Sequence, residues 1–314
     1  MINELLQTTF IISILAGTIR VATPLLLGAL GELITERAGV INLGIEGTML
    51  MGAFCGFWGA SISGSLAVGI GFAILAGGIM ALITAFMTVT LKVNQVVTGL
   101  ASNLLGSGVS FYAYRIIFKN AISGDFPRIE IFHSLDIPLL SDIPILGDVL
   151  FSQYLLSYVS FLLVPLIAWF LYRTKYGLRI RTVGENPRVI DMRGLSVSKL
   201  RYGAVVFGGL LMGLGGSFLT LASTGLFLPD MTGGRGWLAY VIVIAGNWLP
   251  GRVMGMALLF ALLDSIQLHL QGMGIEFPFQ VLLALPYVFA IVATVLSRMR
   301  SGMPASLGEP YLRS

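Results

Sequence analysis

Two acids stand inside apolar runs: Glu46 in NLGIEG and Asp264 in MALLFALLDSIQLHL. A charge at mid-bilayer costs about 2.5–3.5 kcal/mol on insertion scales, so such a group pairs, lines a hydrated path or handles a proton. Glu46 reads either as a path carboxylate or as a structural partner for Arg37 or Arg20 across a broken helix. Asp264 shares a helical face with Gln267 and Gln271 by three-and-four spacing, which gives a pathway or a buried polar network. The stretch Asn94–Ile117 is richer in polar groups, with Asn94, Gln95, Thr98, Ser102, Asn103, Ser107 and Ser110. Thr98, Ser102, Gly106 and Ser110 recur every four residues, as on a helix that borders water or bonds to its neighbours. Groups that hydrogen-bond without a fixed charge, Thr98, Asn103 and Ser107 among them, suit the passage of a neutral solute. Enzyme chemistry is not evident. There is no GxxxxGK[ST], HExxH, GxSxG or paired-cysteine motif, and one cysteine and two histidines make no metal pattern. If ATP drives any process here, another chain must hydrolyse it.

The elements that carry these residues are membrane helices. The chain has 314 residues, 56% hydrophobic and 11% charged, against about a quarter charged in soluble domains. Apolar runs of spanning length recur throughout, so the expected fold is all-α and polytopic, one transmembrane unit over 1–314. The expected spans are 8–30, 43–61, 66–91, 94–117, 151–172, 202–222, 237–249, 253–270 and 279–296, about nine crossings with eight to ten acceptable. Residues 31–43 and 223–236 are ambiguous, each reading as a loop or as re-entrant, and Pro250–Arg252 reads as a tight turn. Gly52/Gly56, Gly209/Gly213 and Gly251/Gly255 have the spacing that lets membrane helices approach closely.

Orientation comes from charge. Residues 173–201, RTKYGLRIRTVGENPRVIDMRGLSVSKLR, hold eight basic residues and two acids, which places this loop in the cytoplasm. The acid-containing loop 118–150 then faces outward. Alternation puts the last residues, with Arg298 and Arg300, inside and the N-terminus outside. No basic stripe with interleaved aromatics is present, so nucleic acid is not an expected partner. Within 173–201 a short helix is written out. Asn186 is a good N-cap, Pro187 suits the first helical position, Glu185 adds charge near the N-terminus, and Gly194 suits a left-handed end. Val189, Ile190 and Met192 can dock on a partner, and Arg188, Asp191 and Arg193 can pair across an interface. A helix so short needs support. It is either a solvated basic segment beside anionic headgroups or a helix that receives force from a cytoplasmic protein.

The segments GELITERAGVINLGIEGTMLMGAF, NQVVTGLASNLL, YGLRIRTVGENPRVIDMRGLSVSKLRY, AGNWLPGR and GEPYLRS together resemble permease subunits of bacterial ABC importers. The branch is that of the ribose and branched-chain amino acid permeases. Within it the chain is most similar to the shorter permease of nucleoside systems that work with a basic-membrane-protein-type lipoprotein. The resemblance implies a bacterial plasma-membrane heterodimer with a second permease, ATP-binding subunits inside and a substrate-binding lipoprotein outside. It implies no cofactor on this chain, ATP being bound by the partner subunit. It makes 185–194 a coupling helix, and it makes Asn42, Glu46, Gln95 and Asn103 candidates for the solute path. The expected activity is inward movement of a nucleoside or related solute by alternating access, with a ribose-like sugar as the alternative. An ion-coupled secondary transporter would instead use Asp264 and Glu46 as proton sites and often shows inverted repeats, which are not apparent here.

Overall fold

The computed structural model describes residues 8–118, 127–138, 140–141, 143–272 and 302–312, together with positions 284, 288, 291, 292 and 295. The chain opens on α1 (Thr8–Arg37), with Pro24 inside it. Next come α2 (Ile45–Ser63), α3 (Leu66–Ala85), a wide π-type turn at Phe86–Thr90, and α4 (Gln95–Ile117). The connection after α4 carries β1 (Leu135–Asp136) and β2 (Ser152–Gln153), paired antiparallel. Then follow α5 (Leu155–Arg173), α6 (Lys175–Glu185), α7 (Pro187–Met192) and α8 (Val197–Phe218). The chain continues through α9 (Arg235–Ala245) and α10 (Pro250–Gly272).

Among the described residues five helical stretches are long and apolar enough to cross a membrane: Thr9–Arg37, Leu66–Thr90, Leu155–Arg173, Val197–Thr224 and Pro250–Gln271. Helices α2 and α4 have the length, 19 and 23 residues, but not the same apolar composition. At 11 residues, α9 is too short to cross alone. The expected ninth span lies outside the described residues apart from isolated positions.

Four expectations are corrected. The stretch GELITER belongs to α1, because Glu32, Thr35 and Glu36 are fully buried instead of forming a polar loop. That helix runs to Arg37, and the chain turns away at Gly39, whose φ of +81° a side chain would resist. The turn expected at 250–252 falls at 246–249, where Asn247 and Trp248 take positive φ, and Pro250 opens α10. The fifth helix starts at Leu155 instead of Phe151, since the preceding residues pair as a strand. The fold is therefore mostly helical with one short β-pair, and not strictly all-α.

Packing centres on α8, the most enclosed of the long apolar helices. Lipid tails are as apolar as leucine, so membrane helices associate through close van der Waals contact rather than hydrophobic burial. The α8 sequence GGLLMGLGG supplies that contact. Gly208 meets Gly31 of α1, Gly209 meets Gly77 of α3, and Gly213 meets Gly52 of α2, each so closely that a Cβ would strike the facing helix. Gly251 and Gly255, by contrast, meet no other element among the described residues.

The two ends of the bundle differ. At one, the N–H of Ile129 donates to the Gly225 carbonyl and that of Phe132 to the Leu221 carbonyl, both at 2.9 Å. Phe54, Phe57, Tyr114 and Phe227 cluster nearby. At the other end sit Arg37, α6, α7 and residues 302–312, with the Ser306 N–H donating to the Gly184 carbonyl at 2.8 Å. The basic loop and the last described residues thus share one end.

Candidate functional site

The residues singled out by sequence converge on an interruption in the bundle. Ile45 and Met49 of α2 lie beside Gly28 of α1. That is roughly 13 Å back from Arg37 at the helical rise per residue, so residues 38–44 fold back into the bundle before α2 begins. Non-helical backbone at such depth must be satisfied by protein. Side chains do this one amide at a time. Gln95 Oε1 accepts from the Ile41 N–H at 2.7 Å, and Glu32 Oε1 accepts from the Asn42 N–H at 2.9 Å. Asn42 Oδ1 accepts from Gly44 N–H at 2.9 Å, while its amide nitrogen points to Met212 Sδ. Asn103 works in both directions. Its Oδ1 accepts from Gly47 N–H and its Nδ2 donates to the Leu43 carbonyl, each at 2.8 Å.

Glu46 lies at the same junction. Its two carboxylate oxygens accept from the N–H groups of Gly234 and Gly236, at 2.8 and 2.6 Å. These are the donors that open α9, where unsatisfied N–H groups and the helix dipole both favour a negative charge. The expected pairing with Arg37 or Arg20 is not formed. Arg37 donates to the Trp248 carbonyl, at 2.7 Å from Nη2, and Arg20 donates to Gln153 Oε1 at 3.3 Å. Two helices, α2 and α9, thus start inside the bundle, and Glu46 fastens the first turn of one to the first turn of the other. Asp264 joins through Arg235, 3.9 Å away, which sits between the two glycines that Glu46 holds.

The four-residue stripe on α4 is a packing face. Thr98, Ser102, Gly106 and Ser110 are all buried. Ser102 shares a hydrogen bond with Thr84 at 3.1 Å, and Thr98 Oγ1 donates to the Asn94 carbonyl at 2.9 Å. Ser107, half-buried, stands one position round from Gly106 and apart from the junction. The opposite face of α4, with Val97, Leu104, Tyr112 and Ile116, is exposed.

In the basic loop the expected caps are present. Asn186 Oδ1 accepts from the Arg188 N–H at 3.2 Å, Pro187 begins the helix, and Gly194 has φ +73°. Ile190 is buried against Val183 and Val197, whereas Met192 is 79% exposed between half-buried Asp191 and exposed Arg193. Arg188 is exposed and Val189 half-buried. Glu185 stands just before that cap, and its Oε2 accepts from the Ala305 N–H at 3.3 Å.

The chain matches, over residues 14–297, the family described as branched-chain amino acid transport system / permease component. It belongs to that permease family. It is 33% identical over 309 residues to the guanosine ABC transporter permease protein NupQ of Bacillus subtilis, covering 96% of each chain. It is 31% identical over 311 residues to the nucleoside ABC transporter permease protein NupC of Lactococcus lactis, covering 96% of this chain and 97% of the other. Over 271 residues it is 40% identical to the putative glucose ABC transporter permease protein TsgC13 of Haloferax volcanii, covering 85% and 80%. No solved structure matches. The protein is therefore a multi-pass ABC transporter permease.

Sequence reasoning missed two parts of this permease. Glu32 and Glu36, both wholly buried, tie α1 to the 38–44 segment and to the Trp248 indole. Their i, i+4 spacing within a span-length helix was the available signal. Residues 302–312, for which only the side of the membrane was expected, pack on α6 and α7.

Proposed function

We propose that the protein is the non-catalytic membrane subunit of a nucleoside importer in a bacterial plasma membrane. It would work beside a second permease, ATP-binding subunits inside and a substrate-binding lipoprotein outside. The observation that carries the substrate class is the near full-length similarity to NupQ and NupC. A sugar is the second reading, favoured by the 40% identity to TsgC13.

In this reading the chain crosses nine times from an outer N-terminus to an inner C-terminal segment. Residues 225–245 make one crossing as a re-entrant stretch followed by the half-length α9. The coupling element is Glu185–Gly194. Its capped helix presents Met192, Arg188 and Arg193 outward, an apolar knob flanked by cations that suits a groove with acidic rims on an ATP-binding subunit. Closure of the ATP-binding subunits would move this helix and rock the two permeases around a shared path. The polar α4 supports a place beside that path. Asn42, Gln95, Thr98 and Asn103 would then shape it from behind, holding the broken backbone in place, with Ser107 nearer its surface. Glu46 and Asp264, already engaged by Gly234, Gly236 and Arg235, would fix α9 rather than carry protons.

Calorimetric titration of the cognate binding protein with guanosine, adenosine, uridine and glucose tests the substrate class. Nucleoside binding with no response to glucose is the expected result; glucose binding alone moves the chain to the sugar reading.

A further inference from the structure

Six consecutive residues of the C-terminal segment reach four separate elements. Ser306 donates through its N–H and its hydroxyl to the Gly184 carbonyl at the end of α6, at 2.8 and 2.7 Å. The Gly308 N–H donates to the Gly39 carbonyl at 3.2 Å, and Arg201 of α8 donates to the Glu309 carbonyl at 2.9 Å. The Tyr311 hydroxyl lies 3.0 Å from Asp191 Oδ2, and its ring packs on the cluster containing Ile190.

We propose that residues 304–311 are a strap that positions α7 and links its movement to the interrupted 38–44 segment; this rests on α7 being the coupling helix. Two features distinguish a strap from a tail that merely fills space. First, it holds α6 and α7 at separated points, Ser306 and Tyr311, with a cavity of about 450 Å³ between the strap and the start of α7. It is a tether there and not a packed core. Second, its middle is fastened to Gly39, two residues before the Ile41 amide that Gln95 holds on α4. α7 otherwise packs chiefly on its sequence neighbours α6 and α8. The strap therefore gives α7 a short route, through Tyr311, Gly308 and Gly39, to the junction where α2 and α4 meet. Tyr311 is a positioning residue in this scheme and touches neither ATP nor solute.

The test uses the complete transport complex in proteoliposomes and reads solute moved per ATP hydrolysed, with subunit co-purification alongside. Tyr311→Ala is expected to leave the complex assembled and hydrolysing ATP while solute per ATP falls. One hydrogen bond of ordinary net worth corresponds to about fivefold. Tyr311→Phe keeps the ring on Ile190 and is expected to fall between the two. Gly308→Val, which places a side chain on Ile41 at a φ of +82°, is expected to lower the ratio without touching α7. An unchanged ratio in Tyr311→Phe and Gly308→Val overturns the strap, and these two decide if Tyr311→Ala does not assemble. A wild-type complex with no ATP-dependent uptake overturns the permease reading itself, and the strap with it.

Discussion

At the scale of single residues, the polar groups of this bundle serve backbone first. Glu46 satisfies two amides that open α9, and Asn103 clamps both sides of the start of α2. Leaving a buried amide without an acceptor costs about 1–3 kcal/mol. Glu46→Ala is therefore expected to lower the thermal midpoint of the detergent-purified protein clearly, and Glu46→Gln, which keeps one good acceptor, to lower it less. Midpoints equal to wild type in both would mean that α9 does not depend on this carboxylate. Asn103→Leu is expected to destabilise similarly, whereas Ser107→Ala, outside the junction, should leave the midpoint unchanged. Glu46 and Asn103 were legible as residues that need a reason to be where they are. Their partners were not. A backbone N–H nearly two hundred positions away leaves no mark in the sequence.

At the scale of elements, the start of α7 was readable to the residue and its end to within one, because a cap, a first-turn proline and a terminal glycine act locally. Asn186→Ala is expected to cost about 0.5–2 kcal/mol of local helix stability, seen as faster amide exchange confined to 187–192. Exchange spreading through α8 would contradict that confinement. α6 escaped notice because its charges masked a helical period. Gly177, Ile180, Val183 and Gly184 are its buried positions, a three-and-four pattern inside a basic loop. Glycine pairs illustrate the limit of spacing alone. Gly52 lies on Gly213 of α8, and a Cβ on Gly213 would itself strike Ala73 and Gly77 of α3, while Gly251 and Gly255 have the same spacing and meet nothing among the described residues. Gly213→Leu should thus abolish recovery of folded protein, and Gly255→Leu should spare the isolated subunit. Equal tolerance at both sites would refute the close-packed seam.

At the scale of the whole molecule, composition and charge were sufficient for a polytopic membrane protein with its basic loop and final residues at one end. The interruptions were harder. Hydropathy sees a run of apolar residues, and it cannot see that 38–44 turns back into the bundle or that α9 starts inside it. Those two breaks meet at Glu46, and the proposed path would run beside that junction. The central claim is that ATP hydrolysis on another chain drives a neutral solute past this junction. The most direct measurement is nucleoside uptake by proteoliposomes holding the full complex, with and without ATP, and with ion gradients collapsed by ionophores. The expected result is uptake that requires ATP and survives the ionophores. Uptake that persists without the ATP-binding subunits and disappears with the ion gradient would contradict the account and return Glu46 and Asp264 to the role of coupling-ion sites.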